Sequence, residues 1–159
     1  MPYPPFTQLT RAFCLFFLII SIPSFSQVQI WGTSQTGGDD NIGSIYSLFE
    51  DGSEYTSQFD FVNAQDGANP KSSLAVDENG IIYGISSQGG ASNSGTIFNY
   101  DNGEFQVLHE LIAATDGNNA SADFVQTDNE TFIGATFNGG ENGGGVSRHP
   151  AHRAQLLRR

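Results

Sequence analysis

The chain has 159 residues, with 17 Asp and Glu against six Lys and Arg, a formal net charge of -11, 19 glycines and one cysteine. An acidic body repels nucleic-acid phosphates and anionic membrane surfaces, which argues against both as partners. Cys14 alone permits no intramolecular disulfide, so stability rests on packing.

At the N-terminus, Arg11 precedes the apolar run from Ala12 to Ile20, and Ser24 and Ser26 place small residues before a cut ahead of Gln27. This is the pattern of a secretory signal peptide over residues 1–26. About 11 apolar residues fall short of the roughly 20 that span a bilayer, so no membrane span is expected after cleavage. Phe13 stands where lipoprotein processing at Cys14 would want a small residue. The expected location is extracellular or at the cell surface.

From Gln27 onward, strand-like runs alternate with turn clusters. Val28 to Thr33, Ser44 to Phe49 and Tyr55 to Val62 are rich in β-branched and aromatic residues and bounded by Gly, Asp, Asn or Ser. The turn Asp66-Gly67-Ala68-Asn69-Pro70 follows, then Ser73 to Val76, the turn Asp77-Glu78-Asn79-Gly80 and Ile81 to Ile85. After a Gly-Gly loop come Thr96 to Tyr100, the turn Asp101-Asn102-Gly103 and Phe105 to Leu108. The Asn-Gly pairs at 79–80 and 102–103 predict antiparallel hairpins with positive φ at both central residues of a type I′ turn.

Three copies of one pattern are visible. Gly32 to Gly84 spans 52 residues and Gly84 to Gly134 spans 50; Gly43, Gly95 and Gly145 repeat the same two spacings, and Asp66-Gly67 returns as Asp116-Gly117 after 50. The first copy therefore carries two extra residues between Gly43 and Asp66. A period of about 50 residues holding four short strands is the size of a β-propeller blade. The expected fold is all-β, with antiparallel four-stranded blades of a propeller-like repeat, incomplete at about two to three blades. Residues 27–65 form a partial blade, 66–115 a full blade and 116–146 a second partial blade.

Closed propellers need roughly four to eight blades. The chain is then a fragment, an assembly of copies, or an open stack. Residues 147–159 favour the first: where an apolar strand is due after Val146, the chain turns basic, with Arg148, Arg153, Arg158 and Arg159. This non-repeat tail is expected to be out-of-frame sequence truncating a longer protein, the alternative being a genuine basic tail on the acidic body.

The pattern Tyr83-Gly84, Gly89-Gly90 and Gly95-Thr96-Ile97-Phe98, preceded by Asp66-Gly67-Ala68-Asn69-Pro70 and Leu74, resembles the GloVer-type tandem repeat of secreted bacterial choice-of-anchor proteins. It covers Ile30 to Val146, with departures at Ile85, Ala135 and Asn119-Ala120. The resemblance implies a propeller-like β architecture, export and surface attachment through a C-terminal module that this chain does not carry. It supplies no catalytic residues.

Several constellations carry candidate chemistry. Asp39-Asp40-Asn41, Asp66 with Asn69, Asp77-Glu78-Asn79 and Asp116-Gly117-Asn118-Asn119 offer the oxygen ligands that Ca²⁺ prefers, in no known calcium-loop pattern. Asp and Asn equally serve turns by capping their own backbone. Gly37-Gly38, Gly89-Gly90 and Gly139-Gly140 lack the lysine of a phosphate loop and read as tight loops. His109, the one histidine before the tail, reads as structural. Glu104 and Glu110 are candidate carboxylates for glycan hydrolysis, though no spacing selects a pair. Trp31 and Tyr83 share one repeat position, as a core layer between blades or a sugar-stacking platform. Asn119-Ala120-Ser121 and Asn129-Glu130-Thr131 have the form of glycosylation sequons.

These residues describe a secreted repeat module with a structural or binding role at the cell surface, its partner a glycan or a cell-surface protein. No catalytic, cofactor-binding or metal residue is assigned, and Ca²⁺ is the one ion considered. The alternative is a fragment of a secreted carbohydrate-active enzyme.

Overall fold

Short runs of Val, Ile, Phe, Tyr and Thr punctuated by glycine and asparagine satisfy their backbone by pairing with neighbouring strands, and the strands among the described residues all do so. The computed structural model describes residues 28–62, 64–123, 125–128, 131–140 and 143. The signal peptide expected at 1–26 and the basic tail at 147–159 lie outside them. Twelve strands and no helix occur among the described residues.

The first repeat is a three-stranded antiparallel sheet of β1 (Gln29–Ser34), β2 (Ser44–Phe49) and β3 (Thr56–Asp60). The second holds β4 (Ala68–Pro70), β5 (Ala75–Val76), β6 (Ile82–Gln88), β7 (Thr96–Asp101) and β8 (Glu104–Glu110). β4 and β5 both pair with β6, and β6-β7-β8 continue the order, so the first position of a four-stranded unit is shared by two short strands. The third repeat shows β9 (Asn118–Ala120), β10 (Val125–Asp128), β11 (Thr131–Ile133) and β12 (Thr136–Asn138). The sheets are antiparallel, and none closes on itself among the described residues.

Registers repeat with the period of the sequence. Ile30↔Leu48, Gly32↔Tyr46 and Thr33↔Ile45 return 52 residues later as Ile82↔Tyr100, Gly84↔Phe98 and Ile85↔Ile97. Ala68↔Gln88 and Ala75↔Tyr83 return 50 residues later as Asn118↔Asn138 and Val125↔Ile133. The outer pairs share a bulge, with Ile45↔Phe59 then Tyr46↔Ser57 in one repeat and Ile97↔His109 then Phe98↔Val107 in the next. Asp60 and Glu110, the partners of Ser44 and Thr96, are 50 apart while those partners are 52 apart. The two extra residues of the first repeat therefore lie in the connection from Phe49 to Thr56, which replaces the tight Asn102-Gly103 turn.

Two turns depart from the sequence expectation. Ala68-Asn69-Pro70, read as turn, forms β4: Asn69 takes φ 52°, and the flanking Ala68 and Pro70 pair with Gln88 and Ser86. Pro70 is tolerated because it sits on the edge of the sheet, where the missing N–H breaks no ladder bond. At Asn79-Gly80 only Gly80 has positive φ, 83°. The Asp77 carbonyl accepts from the Gly80 amide at 3.0 Å, and Asp77 Oδ1 accepts from the amides of Asn79 and Ile81. Here a side-chain cap on a longer turn replaces the type I′ form. At Asn102-Gly103 both residues have positive φ, 48° and 96°, as expected.

The core lies between repeats. Ile45 and Phe61 of the first repeat pack on Ile82, Phe98 and Tyr100 of the second, joined by Trp31, Phe59, Leu74 and Phe105. Ala75, Ile85, Ile97 and Leu111 of the second pack on Ala120 and Phe132 of the third, with Tyr83. Phe59 and Phe105 stack with centroids 3.9 Å apart. Full burial of one such ring contributes about 2–3 kcal/mol. Trp31 meets Tyr100 at 5.8 Å and Tyr83 meets Phe132 at 4.3 Å, so the shared Trp31/Tyr83 position is a layer between repeats.

Gly84 is a point of close packing against an aromatic ring. A Cβ there would lie 2.5 Å from Phe98 Cζ and 2.8 Å from Leu74 Cδ2, and Gly32 meets Tyr46 in the same way at 2.6 Å. Gly84→Ala is expected to cost about 1–3 kcal/mol by overpacking, and adding Phe98→Leu should recover part of it. Gly103→Ala has open space around it and should cost about 1–2 kcal/mol of left-handed strain, which Phe98→Leu cannot recover. Urea unfolding of the four variants separates the two causes.

Burial pushes the phenols of Tyr83 and Tyr100 above their ordinary range, and the nearby Asp77 adds to the effect on Tyr83. The folded state prefers the neutral phenol, so this stability is complete below about pH 10 and is lost as pH rises through the higher folded pKa. Melting temperature should hold steady up to about pH 10 and fall beyond it, and Tyr83→Phe should make the fall shallower.

Candidate functional site

Most of the polar residues singled out by the sequence are engaged in shaping loops. In the Gly-Gly loops, Asn41 Oδ1 accepts from the Gly37 amide and Asn93 Oδ1 from the Gly89 amide, each at 3.0 Å. The Gly43 and Gly95 amides donate back to the carbonyls of Gly37 and Gly89. The Gly90 and Gly140 amides donate to Ala64 and Ala113 at 2.5 and 2.9 Å. These amides hold the loop closed instead of forming an anion-binding concavity. A Cβ on Gly89 would lie 2.5 Å from Gly67 Cα, which ties the loop to the Asp66-Gly67 corner.

The acidic turns divide in the same way. Asp77 caps its own turn through Oδ1, and its Oδ2 accepts from the Tyr83 hydroxyl at 3.5 Å. The Asp66 and Asp116 carbonyls accept from the hydroxyls of Thr96 and Thr136 at 2.9 and 3.1 Å. Asp39 and Asp40 are exposed. Among the described residues no three His, Cys, Asp or Glu side chains converge on a common point.

His109 ends β8 with 45% of its side chain exposed, and its Nε2 lies 3.0 Å from Oδ2 of the buried Asp116. The same oxygen accepts from the Ile112 amide at 2.9 Å, and the Asp116 amide donates to the Ile112 carbonyl at 2.7 Å. The pair clasps the connection between the second and third repeats. Glu110 Oε2 accepts from the Ala91 amide at 2.7 Å and braces the Gly-Gly loop. Glu104 begins β8 and Glu110 ends it, so about 20 Å of strand separates them. Paired glycosidase carboxylates stand about 5–10 Å apart, so these two do not form such a pair. Asn119 sits beside β4, where Lys71 Nζ donates to its Oδ1 at 3.4 Å; Asn129 and Glu130 of the second sequon lie outside the described residues.

One concave feature gathers side chains from two repeats. A cleft of about 270 Å³ is lined by Ser87 and Gln88 at the end of β6, Asn93 of the Gly-Gly loop, and Asn118 and Asn119 of β9. Every lining group is a neutral amide or hydroxyl, in a chain of net charge -11. The positions are set by backbone geometry: Asn93 and Asn119 take φ 50° and 55°, as Asn41 and Asn69 do one repeat earlier at 56° and 52°. Asparagine is the side chain that best tolerates this left-handed region while keeping a polar group to present. Asn69 Nδ2 donates to Gln88 Oε1 at 2.5 Å and Ser87 Oγ donates to the Asn69 carbonyl at 2.6 Å, which orient the floor. Sequence reasoning read Asn118 and Asn119 as part of an acidic turn that either offers oxygen ligands to Ca²⁺ or caps its own backbone, and did not mark Ser87 or Gln88. The recurrence of Asn69 as Asn119 beside the strand end was the available signal.

The profile of the Gloeobacter/Verrucomicrobia repeat matches residues 23–147. No curated protein and no solved structure matches the chain. The matched span contains all twelve strands, the recurring registers and both strand-glycine and aromatic pairs, and the chain belongs to the Gloeobacter/Verrucomicrobia repeat family.

Proposed function

We propose that the chain is an exported repeat module that binds a neutral, hydroxyl-rich ligand such as a glycan at the cell surface, without chemistry of its own. The amide-lined cleft between the second and third repeats carries this reading. Carboxamides and hydroxyls donate and accept together, which suits sugar hydroxyls, and no charged group enters the lining to demand an ionic partner. The leader-like pattern at residues 1–26 and the propeller-like repeat support export and a surface role.

Binding of the secreted chain to neutral polysaccharides, followed by affinity electrophoresis, tests the ligand class. Gln88→Ala and Asn118→Ala should each weaken binding about ten-fold, as loss of one ligand hydrogen bond does, while leaving the melting temperature near that of the parent. Retention of full affinity in both variants would remove the cleft from consideration. Release of reducing sugar in the same samples would favour the carbohydrate-active enzyme instead. N-terminal sequencing of the exported protein should begin at Gln27, and a mature chain beginning at Met1 would defeat the export reading.

A further inference from the structure

We propose that the ligand-binding edge repeats with the fold, so that each junction between successive repeats holds one subsite and the ligand is a long, uncharged polysaccharide lying across both. This rests on the glycan reading of the cleft and names the form its ligand takes. The cleft between the second and third repeats is built from a Gly-Gly loop and the end of the strand before it, facing the corner of the following repeat. The registers that carry Ile82 back to Ile30 and Asn118 back to Ala68 carry its lining back to Gln35, Thr36, Asn41 and Asn69. Asn41 and Asn93 close their loops by the same 3.0 Å bond, and Asn69 and Asn119 share the left-handed backbone.

The first junction is assembled in the same way. The Asn69 backbone amide donates to the Ile42 carbonyl at 2.7 Å, which seats the corner of the second repeat against the loop that bears Asn41. Gln35, Thr36 and Asn41 are exposed and Asn69 is partly so, again neutral amides and a hydroxyl. Position by position the residues differ, Gln35 for Ser87 and Thr36 for Gln88, yet the hydrogen-bonding character is kept. The two junctions are also joined: Asn69 meets the first through its backbone, and its side chain donates to Gln88 Oε1 of the second at 2.5 Å. Charges of opposite sign flank them. Asp39 and Asp40 stand on the first loop where Ala91 and Ser92 stand on the second, while Lys71 Nζ lies 3.4 Å from Asn119 Oδ1 at the second junction. A ligand charge of either sign is repelled at one junction, so a polymer that fits both is uncharged.

Calorimetric titration of the secreted chain with dextran, soluble starch and hydroxyethylcellulose, and with short oligomers of the same glucans, tests this. Where a short oligomer binds, two should bind per chain, and the matching long polymer should bind about 100-fold more tightly, because its second contact is intramolecular. Gln35→Ala combined with Thr36→Ala should leave one short oligomer per chain and remove the gain with length. Both side chains are exposed, and an unchanged melting temperature shows that the variant is folded. One oligomer per chain in the parent, no gain with length, or a variant that keeps the gain overturns the proposal and leaves the single cleft standing. A parent that binds none of these glucans overturns the proposal together with the glycan reading beneath it. Polygalacturonate bound as tightly as the neutral polymers overturns the requirement for an uncharged ligand.

Discussion

Phe98 lying across the bare Cα of Gly84 is the contact on which the stack depends. The ring is fully buried, it rests where a Cβ would collide with it, and its other side meets Phe61 of the preceding repeat at 5.5 Å. Glycine in a strand interior forfeits side-chain packing and backbone entropy. Here that cost is offset by an aromatic from the paired strand, which covers the exposed backbone on the face that meets the preceding repeat. The same exchange at Gly32 and Tyr46 leaves a half-buried tyrosine, because no repeat among the described residues lies beyond it. Glycine and aromatic form one unit, split across two strands and repeated.

That unit explains which features the sequence reveals. The strand-rich runs, the Asn102-Gly103 turn and the assignment of Trp31 and Tyr83 to a layer between repeats follow from local chemistry together with the period, and each is present. Ala68-Asn69-Pro70 was read as turn because asparagine in the left-handed region and proline both oppose a strand. Tertiary pairing overrides that preference: β6 extends to Gln88, and its upper half offers an unpaired edge that Ala68 and Pro70 fill. The same event moves Asn69 from a solvent turn to the floor beneath Gln88. A propensity argument has no means of placing it there, because the decisive partner strand lies 16 to 20 residues away.

The cleft was hidden for a related reason. Apolar faces announce themselves by periodicity, whereas Ser87, Gln88, Asn93, Asn118 and Asn119 come from a strand end, a loop and a short strand with no common period. Their convergence is a consequence of the offset between adjacent repeats, which sets β6 of one beside β9 of the next. Local loop capping and cleft lining also compete for the same side chains. Asn93 accepts the Gly89 amide at its Oδ1 and also lines the cleft, so a single residue serves fold and surface at once.

Charge is distributed so as not to interfere with either role. Asp39, Asp40, Glu50, Asp51, Glu54, Glu78 and Glu104 are all exposed on loops and hairpin tips, while the two clusters between repeats are entirely apolar. A carboxylate at Ile82 or Ile97 would be desolvated without a partner, at a cost that exceeds what a single ring contact contributes. Apart from Asp116, buried beside His109, the acidic side chains among the described residues are exposed or partly exposed, and the clusters between repeats stay free of charge.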